Sequence, residues 1–133
     1  MNNSYHAFHV DLLKQTYNQL LEFTPFCKEE LAVDDEEFLQ LFKDLITQTE
    51  AHQSGYIDDG QSLMSRFIRA YPELTPLLPR DLLWFFGGDC LHFMPDEELQ
   101  LFQQLDEARY AAESQGDTFE YSRERALALK LVH

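Results

Sequence analysis

Between residues 5 and 24 the apolar positions Tyr5, Phe8, Leu12, Leu13, Tyr17, Leu20 and Leu21 recur three or four apart. That spacing lines them along one face of a helix, which Pro25 then ends. A second stripe, Phe38, Leu41, Phe42, Leu45, Ile46 and Thr49, is the clearest in the chain, with Glu36, Glu37, Gln40, Lys43, Asp44 and Gln48 mostly on the opposite side. Asp34 or Asp35 is expected to cap this helix, and Ser54-Gly55 to stop it. A third stripe, Leu63, Met64, Phe67, Ile68 and Tyr71, follows Asp58-Asp59-Gly60 and runs up to Pro72.

The segment PELTPLLP from Pro72 to Pro79 reads as a rigid bend, because each proline lacks an amide donor and restricts the residue before it. Asp81 to Phe86 predicts a brief helix ended by Gly87-Gly88, where a left-handed backbone carries no Cβ clash. Pro95 with Asp96, Glu97 and Glu98 opens a further helix, whose face Leu99, Phe102, Leu105, Ala108, Arg109 and Ala112 continues to Gly116. A last helix is expected from about Phe119 to Leu131. Period-two alternation never persists and no Asn-Gly or Asp-Gly pair joins two strand-like runs. The expectation is an all-α protein, one domain over residues 1–133, built as a compact bundle of about five or six helices with a proline-rich bend in the middle.

Composition changes this picture in one respect. A net charge of −14 argues for disorder, whereas 44% hydrophobic and 14% aromatic residues argue for a packed core. The two agree if the carboxylates lie on outer helix faces. The excess is concentrated: residues 34–50 hold six acids against one base, and residues 91–133 nine against four, so each segment nets −5. With no basic amino-terminal region, no cleavage site and no window approaching a spanning length of about eighteen apolar residues, a cytoplasmic protein without membrane contact is expected. Two cysteines, Cys27 and Cys90, make neither a disulfide framework nor a cysteine-based metal site. Ten scattered basic residues give no stripe for direct nucleic-acid binding.

The acidic groups Asp34, Asp35, Glu36 and Glu37, and Asp96, Glu97 and Glu98, stand where helix starts alone would favour acids. Their functional reading is a negative surface that steers a basic protein partner, with Trp84 as an aromatic anchor; carboxylates mimicking DNA are a special case. A self-complementary apolar patch would make the chain a homo-oligomer instead.

Catalytic chemistry has thinner support. Asp89, Cys90 and His92 bring an acid, a thiol and an imidazole together, but a zinc site would need ligands from Glu50 and His52 or from Asp58 and Asp59. A small metal-dependent or ligand-binding enzyme with a site in residues 50–92 is therefore the alternative to a binding module. The local reading is that Cys90 packs as a small hydrophobe, Asp89 turns the chain and His92 bonds nearby. His6 and His9, three apart on the first helix, are within reach of each other and read as partly exposed. No HExxH, P-loop, GxSxG or dinucleotide glycine signature occurs, so no catalytic residue and no cofactor is assigned.

The stretch YPELTPLLPRDLLWFFGGDCLHFMPDEE, Tyr71 to Glu98, resembles the central region of a small family of uncharacterised acidic bacterial proteins. The resemblance extends over much of the chain. Its motifs are aromatic, proline and glycine features, and it implies no activity and no residue roles.

Overall fold

The computed structural model describes residues 4–132. Six α-helices follow one another: α1 (Ser4–Leu20), α2 (Val33–Glu50), α3 (Tyr56–Ala70), α4 (Arg80–Phe86), α5 (Asp96–Ser114) and α6 (Tyr121–Val132). Two 3-10 segments complete the path, η1 (Pro72–Leu77) before α4 and η2 (Gly88–Phe93) after it. Among the described residues there are thus eight helical segments and no strand, where five or six helices were expected. The surplus comes from the proline bend and from GDCLHF. Prolines bar the long α-helical ladder but tolerate short i to i+3 turns, and η1 carries Pro76 inside it.

The core is shared by every element from α1 to α5. Leu13 and Leu20 of α1, Phe38, Phe42 and Leu45 of α2, Met64 and Phe67 of α3, and Leu82 and Leu83 of α4 are at most 2% exposed. Phe102 and Leu105 close it from α5. The apolar stripe of α2 rolls slightly from its predicted face: Leu39 is buried while Leu41 is 43% exposed, because α2 packs against both α1 and α3. Phe26, Phe38, Phe67 and Tyr71 form one chain of ring contacts with centroids 4.9–5.8 Å apart.

Helix starts depart from the expected caps. Ala32, in an extended conformation, precedes α2, and no side chain caps it. Asp35 instead accepts a 2.7 Å hydrogen bond from the Tyr71 hydroxyl, and Arg66 binds both Glu37 at 2.7 Å and the Asp34 carbonyl at 3.0 Å. Those acids therefore fasten α2 to α3 and η1 rather than close their own helix. Helix α1 stops at Leu20, four residues before the predicted end, and turns lead on to Pro25. Helix α3 opens at Tyr56, before Asp58, with Gly55 left-handed at its cap; α6 opens at Tyr121 rather than Phe119.

Two glycine positions are steric requirements. Gly60 is buried on α3, where an added Cβ would overlap the Phe86 ring, so this glycine lets α3 meet α4. Gly87 and Gly88 take φ of 68° and 59°, which ends α4 as expected and starts η2. Helix α6 is joined to α4 by an ion pair whose carboxylate is buried: Asp81 is 2% exposed, and both its oxygens receive donors from Arg125, the Nη2 contact at 2.8 Å.

Candidate functional site

The aromatic run Trp84-Phe85 lies at an open cleft of about 440 Å³ bounded by α1, α4, α5 and the α2–α3 connection. On the α5 side, the Arg109 guanidinium stacks between two phenol rings, 3.9 Å from the Tyr5 centroid and 4.6 Å from that of Tyr110. Arg109 belongs to the face of α5 that the spacing marked out, and its long stem and flat head let it pack there beside apolar neighbours. Its charge is met by Asp106 at 3.4 Å and Glu113 at 3.7 Å. Asp106 also accepts a 2.9 Å bond from Trp84 Nε1, which holds the indole on the wall; Trp84 stacks on Phe102 behind it. Tyr110 is 58% exposed and forms the outer lip.

The opposite wall is made of histidines. The His6 ring lies on the His52 ring with centroids 3.7 Å apart and planes 18° from parallel, and Tyr56 stands edge-on to both. Burial pushes the His6 imidazole below the usual histidine range; a bond from its Nε2 to the Thr49 carbonyl, 2.7 Å, works against this, and His52 adds to the lowering. Burial raises the Tyr5 phenol and the nearby Asp106 carboxylate adds to the rise, so Tyr5 stays protonated at neutral pH.

Behind the cleft, His9 and Tyr121 are fully buried in an aromatic cluster with Tyr5, Phe8 and Phe85. His9 Nδ1 is 2.7 Å from the Tyr5 carbonyl, which requires an N–H there, while His9 Nε2 and the Tyr121 hydroxyl have no hydrogen-bond partner among the described residues. Burial pulls His9 down to about 4, with the Tyr5 carbonyl acting in the opposite sense. His6 and His9 therefore do not meet, and His9 is core rather than partly exposed. Phe85 touches both rings, but His6 lies on His52 at the end of α2, whereas His9 is packed among Tyr5, Phe8 and Tyr121 and stacks on Phe85 at 4.6 Å.

The residues weighed for a metal or an enzyme disperse. Glu50 is exposed and paired with Lys14 at 3.1 Å, His52 lines the cleft, Asp58 and Asp59 are exposed on α3, and Asp89 and His92 are exposed on η2. Cys90 is fully buried, 3.6 Å from the Gln61 carbonyl, and burial raises its thiol above the ordinary range. At three residues per turn, positions two apart in a 3-10 helix point in different directions, which separates Cys90 from His92. Among the described residues no three His, Cys, Asp or Glu side chains gather to hold a metal ion.

Of the acidic candidates, Asp35, Glu37 and Glu98 are engaged, the last 3.2 Å from Arg80 Nε, while Asp34, Glu36, Asp96 and Glu97 are exposed. A wider groove of about 690 Å³ runs between η1, α4, α5 and α6, but its charges belong to the Arg80–Glu98 and Asp81–Arg125 pairs. The large exposed apolar side chains Leu21, Phe23, Val33, Leu41, Tyr110 and Leu127 are spread over the α1–α2 connection, α2, α5 and α6.

The fold and site define an all-helical protein with an aromatic and histidine cleft, and no helix among the described residues is long and apolar enough to cross a membrane. Residues 1–132 match the PA2817-like family, an uncharacterised family, and the chain belongs to it. No curated protein and no solved structure matches the chain.

Proposed function

We propose that this protein is a binding module for a basic partner, and that the cleft beside Trp84 receives a cationic side chain of that partner. The observation that supports this reading is Arg109 itself. A guanidinium already lies between two phenol faces and beside two carboxylates, the combination of ring quadrupole and negative charge that attracts a cation. The charges that line the cleft, Asp106 and Arg109, balance, and the negative surplus comes from Glu113, beside Arg109 but off the cleft lining, and from the chain's net charge of −14. Trp84, Tyr56 and Tyr110 line a cavity of a size that small ligand groups occupy. The exposed carboxylates of Asp34, Glu36, Asp96 and Glu97 then steer the approach rather than make the contact. No reaction is assigned.

The test is a fluorescence titration of the full chain, reading Trp84, the sole tryptophan, with lysine- and arginine-rich peptides and with peptides of equal length in which the cations are replaced by glutamine. Saturable quenching by the basic peptides, weakened by salt and by Tyr110→Ala, is expected. Equal response to the neutral peptides, or binding indifferent to salt, overturns the reading.

A further inference from the structure

His52 carries the one positive φ of a non-glycine residue among the described residues, 54°. An L-residue adopts this left-handed conformation at a cost, and such outliers persist where surrounding contacts enforce them. Here the end of α2 enforces it: the His52 N–H bonds to the Thr49 carbonyl at 3.1 Å and the Gln53 N–H to the Gln48 carbonyl at 2.9 Å, the pattern of a helix that ends on a left-handed residue, and this turn lays the His52 ring on His6. His6 is anchored by its bond to the carbonyl of Thr49, which belongs to the same helix end that delivers His52. A carbonyl only accepts, so Nε2 of His6 carries the hydrogen and Nδ1 is the site left to take a proton.

The surroundings offer that second proton little compensation. From α5 the pair faces Asp106 and Arg109, which neutralise each other, and Tyr110; α1 contributes Tyr5, α3 Tyr56 and α4 the uncharged Phe85. Glu50, next to Thr49 in the chain, is paired with Lys14. Two imidazolium rings face to face at 3.7 Å repel each other, with no unpaired carboxylate between them among the described residues.

We infer that the His6–His52 stack is a proton-operated wall of the cleft: one proton leaves the stack closed, and a second drives His52 off His6 and opens the wall. The same second charge weakens the hold on a cationic side chain, so binding fades on mild acidification. That last step rests on the basic-partner reading; the opening of the stack does not. Burial is the main cause that lowers His6, and the smaller contribution of His52 in the same sense fits this coupling.

The experiment uses the full chain without ligand, following the ring resonances of His6 and His52 by NMR and Trp84 emission from pH 8 to pH 5, with far-UV circular dichroism at each point. His52→Gly is the matched variant, since glycine accepts the 54° φ while removing the ring. In the wild type the two histidines are expected to titrate in two steps, the second proton binding about tenfold more weakly than the first, with Trp84 emission following the second step. In His52→Gly, His6 titrates in one step at higher pH, and Trp84 loses that response with helix content unchanged. Independent single-step titration of both rings, or a Trp84 titration unaltered by His52→Gly, overturns the inference. Basic peptides are then added: affinity lost about tenfold between pH 7.5 and 5.5 in the wild type but retained in His52→Gly is the expected outcome. Absence of peptide binding at pH 7.5 defeats the basic-partner reading, while the ligand-free titration decides the stack on its own.

Discussion

Arg125 of α6 and Asp81 of α4 meet in a two-pronged ion pair that is buried at one end only: the Asp81 side chain is 3% exposed and that of Arg125 is 26% exposed. This asymmetry predicts unequal truncation costs. Arg125→Ala strands a carboxylate in the interior and is expected to cost about 3 kcal/mol, whereas Asp81→Ala leaves a guanidinium that can turn to water and costs about 1–2 kcal/mol. Urea denaturation of both variants checks the order, and an equal or reversed order would show that the carboxylate reaches solvent.

His9 makes stability depend on pH with a definite sign. Folded, it is held down to about 4 by burial, against an ordinary value of 6.5 in the unfolded chain. The unfolded state therefore binds the proton first. The stabilising contribution is complete above roughly pH 6.5, shrinks as the pH falls toward about 4, and reaches a loss of order 3 kcal/mol. Denaturant midpoints measured every half pH unit should show this limb, and His9→Phe, which keeps a ring against Phe85, should flatten it.

Gly60 is predicted to be intolerant of a single methyl group. Gly60→Ala adds a Cβ that would overlap Phe86, a ring 2% exposed and unable to move freely. A loss of about 1–3 kcal/mol is expected, despite alanine's better helix propensity. Adding Phe86→Leu should recover part of it, so a thermal-melt double-mutant cycle should show coupling; simple additivity would argue against the overlap.

Asp106 couples the two sides of the Trp84 wall, accepting from the indole at 2.9 Å and pairing with Arg109 at 3.4 Å. Asp106→Ala releases both donors. The expected results are a red-shifted Trp84 emission, a stability loss of about 1–2 kcal/mol, and an affinity for basic peptides at least about tenfold weaker. An unchanged emission spectrum would show that the carboxylate does not fix the indole.

The family resemblance was carried by the same stretch, Tyr71 to Glu98, that provides η1, α4 and η2. Its prolines, glycines and aromatics were readable as a bend followed by a brief helix that Gly87-Gly88 ends, and α4 stands there at Arg80–Phe86. The 3-10 form of η1 and η2 was not, because periodicity of 3.6 or 2 is what a pattern reveals, and six residues are too few to distinguish i to i+3 bonding. Trp84 was read as an aromatic anchor for a partner; the structure leaves it half-buried on the cleft wall, and its neighbours were not legible, since Asp106 lies 22 positions away and Tyr5 reaches the cleft from the opposite end of the chain. His6 and His9 were paired by their spacing on α1, a local rule that fails when two neighbouring helices present different surfaces to adjacent turns.

By itself, the sequence determined the helical class, most helix positions and the faces that form the core, since the three-to-four spacing of apolar residues follows from the geometry of a single helix. It also showed that a charge of −14 is compatible with folding, by collecting acids at the starts of α2 and α5. What those acids do was settled by packing: Asp35 and Glu37 reach Tyr71 and Arg66, more than twenty-five residues on, in preference to their own helix ends. The cleft likewise exists only in three dimensions, where His6, His52, Trp84 and Arg109 come together from four separate elements. Local periodicity encodes which face of a helix leaves water; which neighbour it meets depends on how all the helices fit one another at once.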